Sequence, residues 1–328
     1  SLMYTNTPTR MLFIHETDEY IWQLMEYNKL TGQFAPACPD VMCSHNACLF
    51  SPGYKIFAGE HHLFFYPHAG EGAYYMSDFD GTNLQTLSLP SDAYLHTETE
   101  EGLYWELTEL ENEQAYYSLW FYSFATGESR RVTNASQNVS YYVAKGGIYI
   151  HDIATLTLYK LHPETGENQK VAEDIISLSN YGGYLYDYDY NTGTFRKLVG
   201  DQMVTVARVD GVCDYWASEG YLYFFCEDKA YMESARENTE LYQYLSRDNP
   251  TCGNIYKIKE GEDTPQLLCQ IAHDGKPALI DYLVADGEVV YIQCRDYQSF
   301  PNGYNDNRGD PTLVILDATN GKLIEIPN

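Results

Sequence analysis

The sequence predicts an all-β chain folded as a single β-propeller of four-stranded blades, and three observations carry that expectation. A phrase made of a small turn followed by alternating aromatic and aliphatic residues recurs along the chain. A second phrase, an apolar strand running into a reversal rich in Asp, Thr, Asn and Gly, follows most copies of the first. Outside residues 229–245, no long stretch carries the apolar period of a helix.

The first phrase reads His62-Leu63-Phe64-Phe65-Tyr66, Gly102-Leu103-Tyr104-Trp105, Gly147-Ile148-Tyr149-Ile150 and Gly183-Tyr184-Leu185-Tyr186. It returns as Gly220-Tyr221-Leu222-Tyr223-Phe224-Phe225 and Gly287-Glu288-Val289-Val290-Tyr291-Ile292. Aromatic and β-branched residues alternating with period two specify a pleated strand. The second phrase reads Met25-Glu26-Tyr27-Asn28-Lys29-Leu30-Thr31-Gly32 at its first copy. Later copies end in Ala125-Thr126-Gly127, Glu164-Thr165-Gly166, Asn191-Thr192-Gly193 and Thr319-Asn320-Gly321, where Gly and Asn supply the positive φ of a tight hairpin.

Repeat starts lie about 35–65 residues apart, which fits four-stranded blades with insertions better than leucine-rich or ankyrin units. The division that follows is seven blades, at about 1–50, 51–91, 92–137, 138–174, 175–210, 211–275 and 276–328. Six or eight blades are also compatible with the spacing. Ring closure is expected from a shared blade, with N-terminal strands near 11–14 and 22–27 pairing with C-terminal residues 322–326. Such pairing would remove an open sheet edge.

Composition narrows the partners. The 328 residues include 47 Asp and Glu against 20 Lys and Arg, a formal charge of −27. Such a surface repels nucleic-acid backbones and anionic lipid, and suits cations, basic proteins and neutral ligands. No apolar run reaches the roughly 20 residues of a membrane span. The opening Ser1-Leu2-Met3-Tyr4 lacks the pattern of a secretory signal. Eight cysteines suit an oxidising compartment, although a cytosolic chain of this length can carry eight thiols.

Two stretches carry a family resemblance. Asp80-Gly81-Thr82-Asn83-Leu84 resembles the hairpin of TolB-like and low-density-lipoprotein-receptor-like propellers. Cys38, Pro39, Asp40, Cys43, His45 and Cys48, after the first Thr-Gly turn, are similar to a motif in uncharacterised propeller lipoproteins of gut Firmicutes. The resemblance implies export and surface anchoring, secreted or lipid-anchored, and brings no activity with it.

The cysteines offer two sites. Cys38, Cys43, His45 and Cys48 could hold Zn²⁺ tetrahedrally, and a disulfide between two of the cysteines is the alternative. Cys226 and Cys252 flank a long polar insertion, where a bridge would contribute about 3–4 kcal/mol by restricting the unfolded chain. Two buried thiols are the alternative there.

Three insertions, residues 108–117, 227–251 and 295–311, each follow the aromatic strand, so all should emerge on one face. Long connections in compact folds tend to carry function. Tyr231, Tyr242, Tyr244, Tyr297, Phe300 and Tyr304 within them could stack on a glycan or peptide. Most of the 32 tyrosines alternate along strands and read as packing. Asp187 and Asp189 share a strand face and could serve acid–base chemistry or Ca²⁺, with a hairpin end as the plainer account. Asn305 to Asp310 misses the ligand spacing of a calcium loop, and no hydrolase, phosphate-loop or dinucleotide motif occurs. The expected function is extracytoplasmic binding of a glycan, peptide or protein. A polysaccharide lyase or glycoside hydrolase and a structural module of a cell-surface assembly are the rival readings.

Overall fold

A computed structural model describes residues 4–16, 22–38, 40, 43, 48–50, 54–67, 72–226, 228, 251–273, 275–297 and 308–325. Among them stand seven sheets of four antiparallel strands, spanning residues 4–36, 54–87, 94–131, 139–172, 178–208, 212–270 and 279–325. Ala272–His273 and Lys276–Pro277 pair as a small ribbon between the sixth and seventh. The described residues contain no helix, and residues 229–245 lie outside them. First strands touch between blades one and two, three and four, five and six, and six and seven, as they do when first strands form the inner wall of a ring. The fold is a seven-bladed β-propeller.

Side-chain alternation explains why the aromatic strands are apolar on both faces. In the second strand of blade two, His62–Pro67, Phe64 packs into blade three while Phe65 packs back into blade one. Tyr149 likewise faces blade five, with Ile148 and Ile150 facing blade three. Tyr223 faces blade seven, with Leu222 and Phe224 facing blade five. The core is therefore a set of wedges between blades. Each large apolar side chain contributes about 1.5–3 kcal/mol on burial, against at most about 1 kcal/mol for an exposed ion pair. Apolar packing holds the ring. Tyr27, Tyr66, Tyr74, Tyr122, Tyr141, Tyr149, Tyr186, Tyr188, Tyr215, Tyr223 and Tyr291 are buried within it, as the packing account of the tyrosines requires.

The ring does not close through a shared blade. Tyr4–Asn6 supplies the inner strand of blade one and Gln33–Pro36 its outer strand, so four consecutive strands complete it. Lys322–Glu325 pairs with Arg308–Asp317 and completes blade seven in the same way. Neither blade has a vacant position for a strand from the other terminus. Closure rests on side chains: Met11, Phe13 and Tyr27 of blade one meet Tyr291, Leu313 and Ile315 of blade seven. Lys29 also pairs with Asp286 across the seam.

One turn differs from its reading in the sequence. Asp189 to Gly193 joins the second and third strands of blade five, whereas the similar Glu164-Thr165-Gly166 joins the third and fourth of blade four. The same reversal chemistry serves either end of a third strand. Asp189 accepts from the Asn191 amide at 2.9 Å and from the Thr192 hydroxyl at 2.6 Å. Its strand-mate Asp187 is fully buried and accepts from the amides of Ile176 (2.8 Å) and Ser177 (2.9 Å). Arg196 Nε donates to it at 2.9 Å, with Nη2 on the same oxygen. Both carboxylates are structural. Asp187→Ala would strand a largely buried guanidinium and two amides, a defect that costs about 3–5 kcal/mol. Urea unfolding should therefore show a large fall in midpoint for Asp187→Ala, and little change for Asp201→Ala in the exposed Lys160–Asp201 pair.

Candidate functional site

Successive strands run antiparallel, so two kinds of connection share one end of the ring. These are the links from second to third strand and the linkers from one blade to the next. The described ends of the three insertions identified in the sequence therefore lie at this face, together with Cys38, Cys43 and Cys48 of the linker between blades one and two. Residues 108–117 are not a loop. Gly102–Glu111 and Gln114–Ser123 pair without interruption to Glu111↔Gln114, and Asn112 and Glu113 make the reversal at φ 52° and 66°. Consecutive positive φ angles are those of a two-residue hairpin turn, so the segment is a projecting arm. Reciprocal backbone bonds of 2.9 Å between Tyr117 and Ser136 fix its base. Leu110 is 79% exposed at the tip, between exposed Glu109, Glu111 and Glu113.

Residues 295–311 begin in the same way. Val289–Tyr297 and Arg308–Asp317 remain paired past Arg295↔Pro311 to Tyr297↔Arg308. Tyr297 lies on this ladder; Phe300 and Tyr304 lie outside the described residues, as do Tyr231, Tyr242 and Tyr244 of the third insertion. At the base of that insertion, the Thr251 hydroxyl donates to the Cys226 carbonyl at 2.8 Å. Cys226 and Cys252 are thiols, with Cys252 Sγ 3.5 Å from the Ala278 carbonyl. Burial pushes Cys226 up to about 12, which makes it inert as a nucleophile.

A feature invisible in the sequence accompanies the insertions. The first strands of blades three, six and seven each slip register near this face, leaving His96, Cys213 and Asp281 as the extra residue. The first strands of blades four and five pair with their second strands in unbroken register. Bulges re-aim side chains and concentrate beside functional sites. Among the first strands, the bulges thus fall in the three blades that carry insertions, while fourth strands slip register in blades four, five and six. His96 Nε2 stands 3.4 Å from the Glu106 carboxylate. Asp281 accepts from Arg295 Nε at 2.6 Å and Gln293 Nε2 at 2.8 Å. Next to the blade-six bulge, Asp214 accepts from the Tyr215 amide at 2.8 Å. Burial pushes its carboxyl above the usual carboxylate range, with the amide opposing.

The cysteine cluster comes together as the sequence spacing suggested. Cys38, Cys43 and Cys48 place their Sγ atoms all within 4.8 Å of one another. The Cys43 amide donates to Asp40 O at 3.1 Å and turns the chain between the first two. Buried Ala37 and Phe50 anchor the linker's ends between blades one and two, and Phe50 meets Phe65 edge-on at 5.2 Å. Burial pushes the Cys38 and Cys48 thiols up, the latter to about 12, which makes these two poor nucleophiles. The chemistry open to the trio is metal ligation or oxidation. His45 lies outside the described residues.

No protein-family model matches the sequence, and no curated protein matches it. Likeness to solved structures is extensive in shape and slight in sequence. The β-propeller domain of the trilobed protease from Pyrococcus furiosus, described as having an open velcro topology, superposes with a TM-score of 0.59 at 12% identity. That match covers 99% of this chain and 96% of that one. An acylaminoacyl peptidase from Pyrococcus horikoshii gives 0.62 at 12% identity over 99% of this chain, which spans about half (52%) of the peptidase. An oligogalacturonate lyase from Vibrio parahaemolyticus gives 0.59 at 11% identity, over 94% of this chain and 86% of that one. At these identities the likeness establishes the propeller fold, in agreement with a ring closed without a shared blade.

A titration checks the setting of Asp214. A carboxyl whose folded value is raised favours the fold while protonated, and that advantage is lost as pH rises through the folded value. Asp214→Asn keeps the acceptor for the Tyr215 amide and removes the buried charge. It should raise the melting temperature by a few degrees at pH 7, and match the wild type once pH falls below about 3.5.

Proposed function

We propose that the protein is a binding propeller that takes a peptide or protein ligand carrying a basic patch. The ligand docks on the face that bears the insertions of blades three, six and seven. The observation that carries the reading is the coincidence of insertion and first-strand bulge in these three blades. Two changes at one end of the same blades, one lengthening the rim and one re-aiming the wall, are the mark of a surface shaped for a ligand. The acidic arm around Leu110 and the net charge of −27 favour a cationic partner and speed its encounter. By sequence, Tyr297, Tyr242 and Tyr304 are aromatic residues of the other two insertions.

The described acids at this end support binding over acid–base catalysis. Asp187 is held by Arg196, Asp281 by Arg295 and Gln293, and Glu106 stands beside His96. Glycoside hydrolysis needs two carboxyl groups in the open, about 5–10 Å apart across the scissile bond. The likeness to a lyase is one of fold and shifts that balance little. The reading also places the protein outside the cytoplasm, on the strength of the lipoprotein-like motif from Cys38 to Cys48.

The test is a peptide array containing polybasic sequences, probed with wild type and with an arm variant. Leu110→Ser combined with Glu109→Lys, Glu111→Lys and Glu113→Lys should weaken the selected peptide at least tenfold. All four side chains are exposed, so stability should change by no more than about 0.5 kcal/mol per site. A variant that folds and binds normally would move the site off the arm, and a wild type that selects no basic peptide would end the reading.

A further inference from the structure

We propose that Cys38, Cys43 and Cys48 bind a single Zn²⁺ ion as thiolates, and that the ion pins the linker between blades one and two. The three sulfurs come from residues five apart in irregular chain, yet all lie within 4.8 Å of one another. Zn–S bonds of about 2.3 Å place tetrahedral sulfurs about 3.8 Å apart. A disulfide uses two sulfurs and gives no reason for a third to converge on them. A metal site uses all three and leaves one tetrahedral position to a fourth ligand.

The setting suits a structural ion. Residues 37–53 form the longest connection between consecutive blades, and its two ends are seated in the core by Ala37 and Phe50. Cys38 and Cys48 pack against the same apolar cluster, which joins Leu12 and Leu24 of blade one to Ile56, Leu63 and Phe65 of blade two. An ion there would tie the linker to the interface it crosses. Blade one gains most from such a tie, because no strand from the C-terminus clasps it on its other side. Chain charge of −27 draws a cation to the site. As three Zn–S bonds form, three thiol protons pass to solvent and no oxidant is consumed. A disulfide would require the removal of two electrons.

The experiment uses the full chain expressed with added zinc and purified without chelator. Elemental analysis should give about one zinc per chain, retained by Cys213→Ser, whose thiol is exposed and lies outside the cluster. Cys38→Ser, Cys43→Ser and Cys48→Ser should each lower retention at least about tenfold, as expected for loss of one of three ligands. Should a variant fail to fold, the wild type alone still decides. After metal is stripped under reducing conditions, added Co²⁺ should produce thiolate-to-cobalt charge-transfer absorption at one equivalent, which Zn²⁺ abolishes. Absence of that absorption would overturn the proposal. So would zinc-free protein in which mass spectrometry finds two of the three cysteines joined, or zinc retained in full by the triple serine variant.

Discussion

The packing of blade one against blade seven is the contact on which the ring depends. Every other blade is joined to a neighbour by chain on both sides, but this seam has no covalent link and no shared strand. In propellers closed by a shared blade, backbone hydrogen bonds secure the ends. Here Met11, Phe13 and Tyr27 must find Tyr291, Leu313 and Ile315 through side-chain fit alone. Tyr27 and Tyr291 meet edge-on at 6.4 Å, and Tyr27 also packs on Phe34 at 4.8 Å. Dispersion and apolar burial of this kind are short-ranged, so the seam forms only when the other interfaces have set the curvature correctly. Fold and closure are coupled.

The face opposite the insertions shows how that curvature is set. In blades four, five and six a tyrosine of the second strand stands directly across from a lysine of the third: Tyr149↔Lys160, Tyr186↔Lys197 and Tyr223↔Lys257. Each lysine reaches into the following blade. Lys160 meets Asp201 at 3.0 Å, Lys197 meets Glu260 at 3.0 Å and Lys257 donates to Ala318 O at 2.9 Å. Lys160 and Lys197 also set their ammonium groups over the rings of Tyr149 and Tyr186, and Lys257 over that of Tyr221, so each gains a ring face as well as an acceptor. Each tie is modest by itself, but three in succession fix the angle between consecutive blades. The turns at this end are short, which leaves the other end free to vary.

At that other end, Asp187 with Arg196 and Asp281 with Arg295 tie described strands together, while the arm around Leu110 is exposed. Recognition by such a surface relies on shape, aromatic area and long-range charge, which fits a binding role. The cysteine linker lies on the same face, so anything that orders it also orders one edge of the rim.

Strand content, turn chemistry and blade number were legible in the sequence because a strand buried on both faces writes a dense aromatic and aliphatic code. Phe64 and Phe65 pointing to opposite interfaces leave no polar face to blur it. The convergence of Cys38, Cys43 and Cys48 was legible too, since short spacing across a turn keeps ligands close whatever the surrounding fold. The closure was not, because which strands pair is decided by whether a blade already holds four, and Tyr4–Asn6 is too short to announce itself as one. Nor were the bulges at His96, Cys213 and Asp281, where one extra residue in a ladder is defined only by its partner strand. The arm at 108–117 read as a loop because Glu109, Glu111 and Glu113 give it polar composition, while backbone pairing makes it a ladder. Local elements follow from near neighbours in the chain and so could be read from it. The seam, the bulges and the ion pairs emerge on folding, because each depends on which distant strand stands alongside.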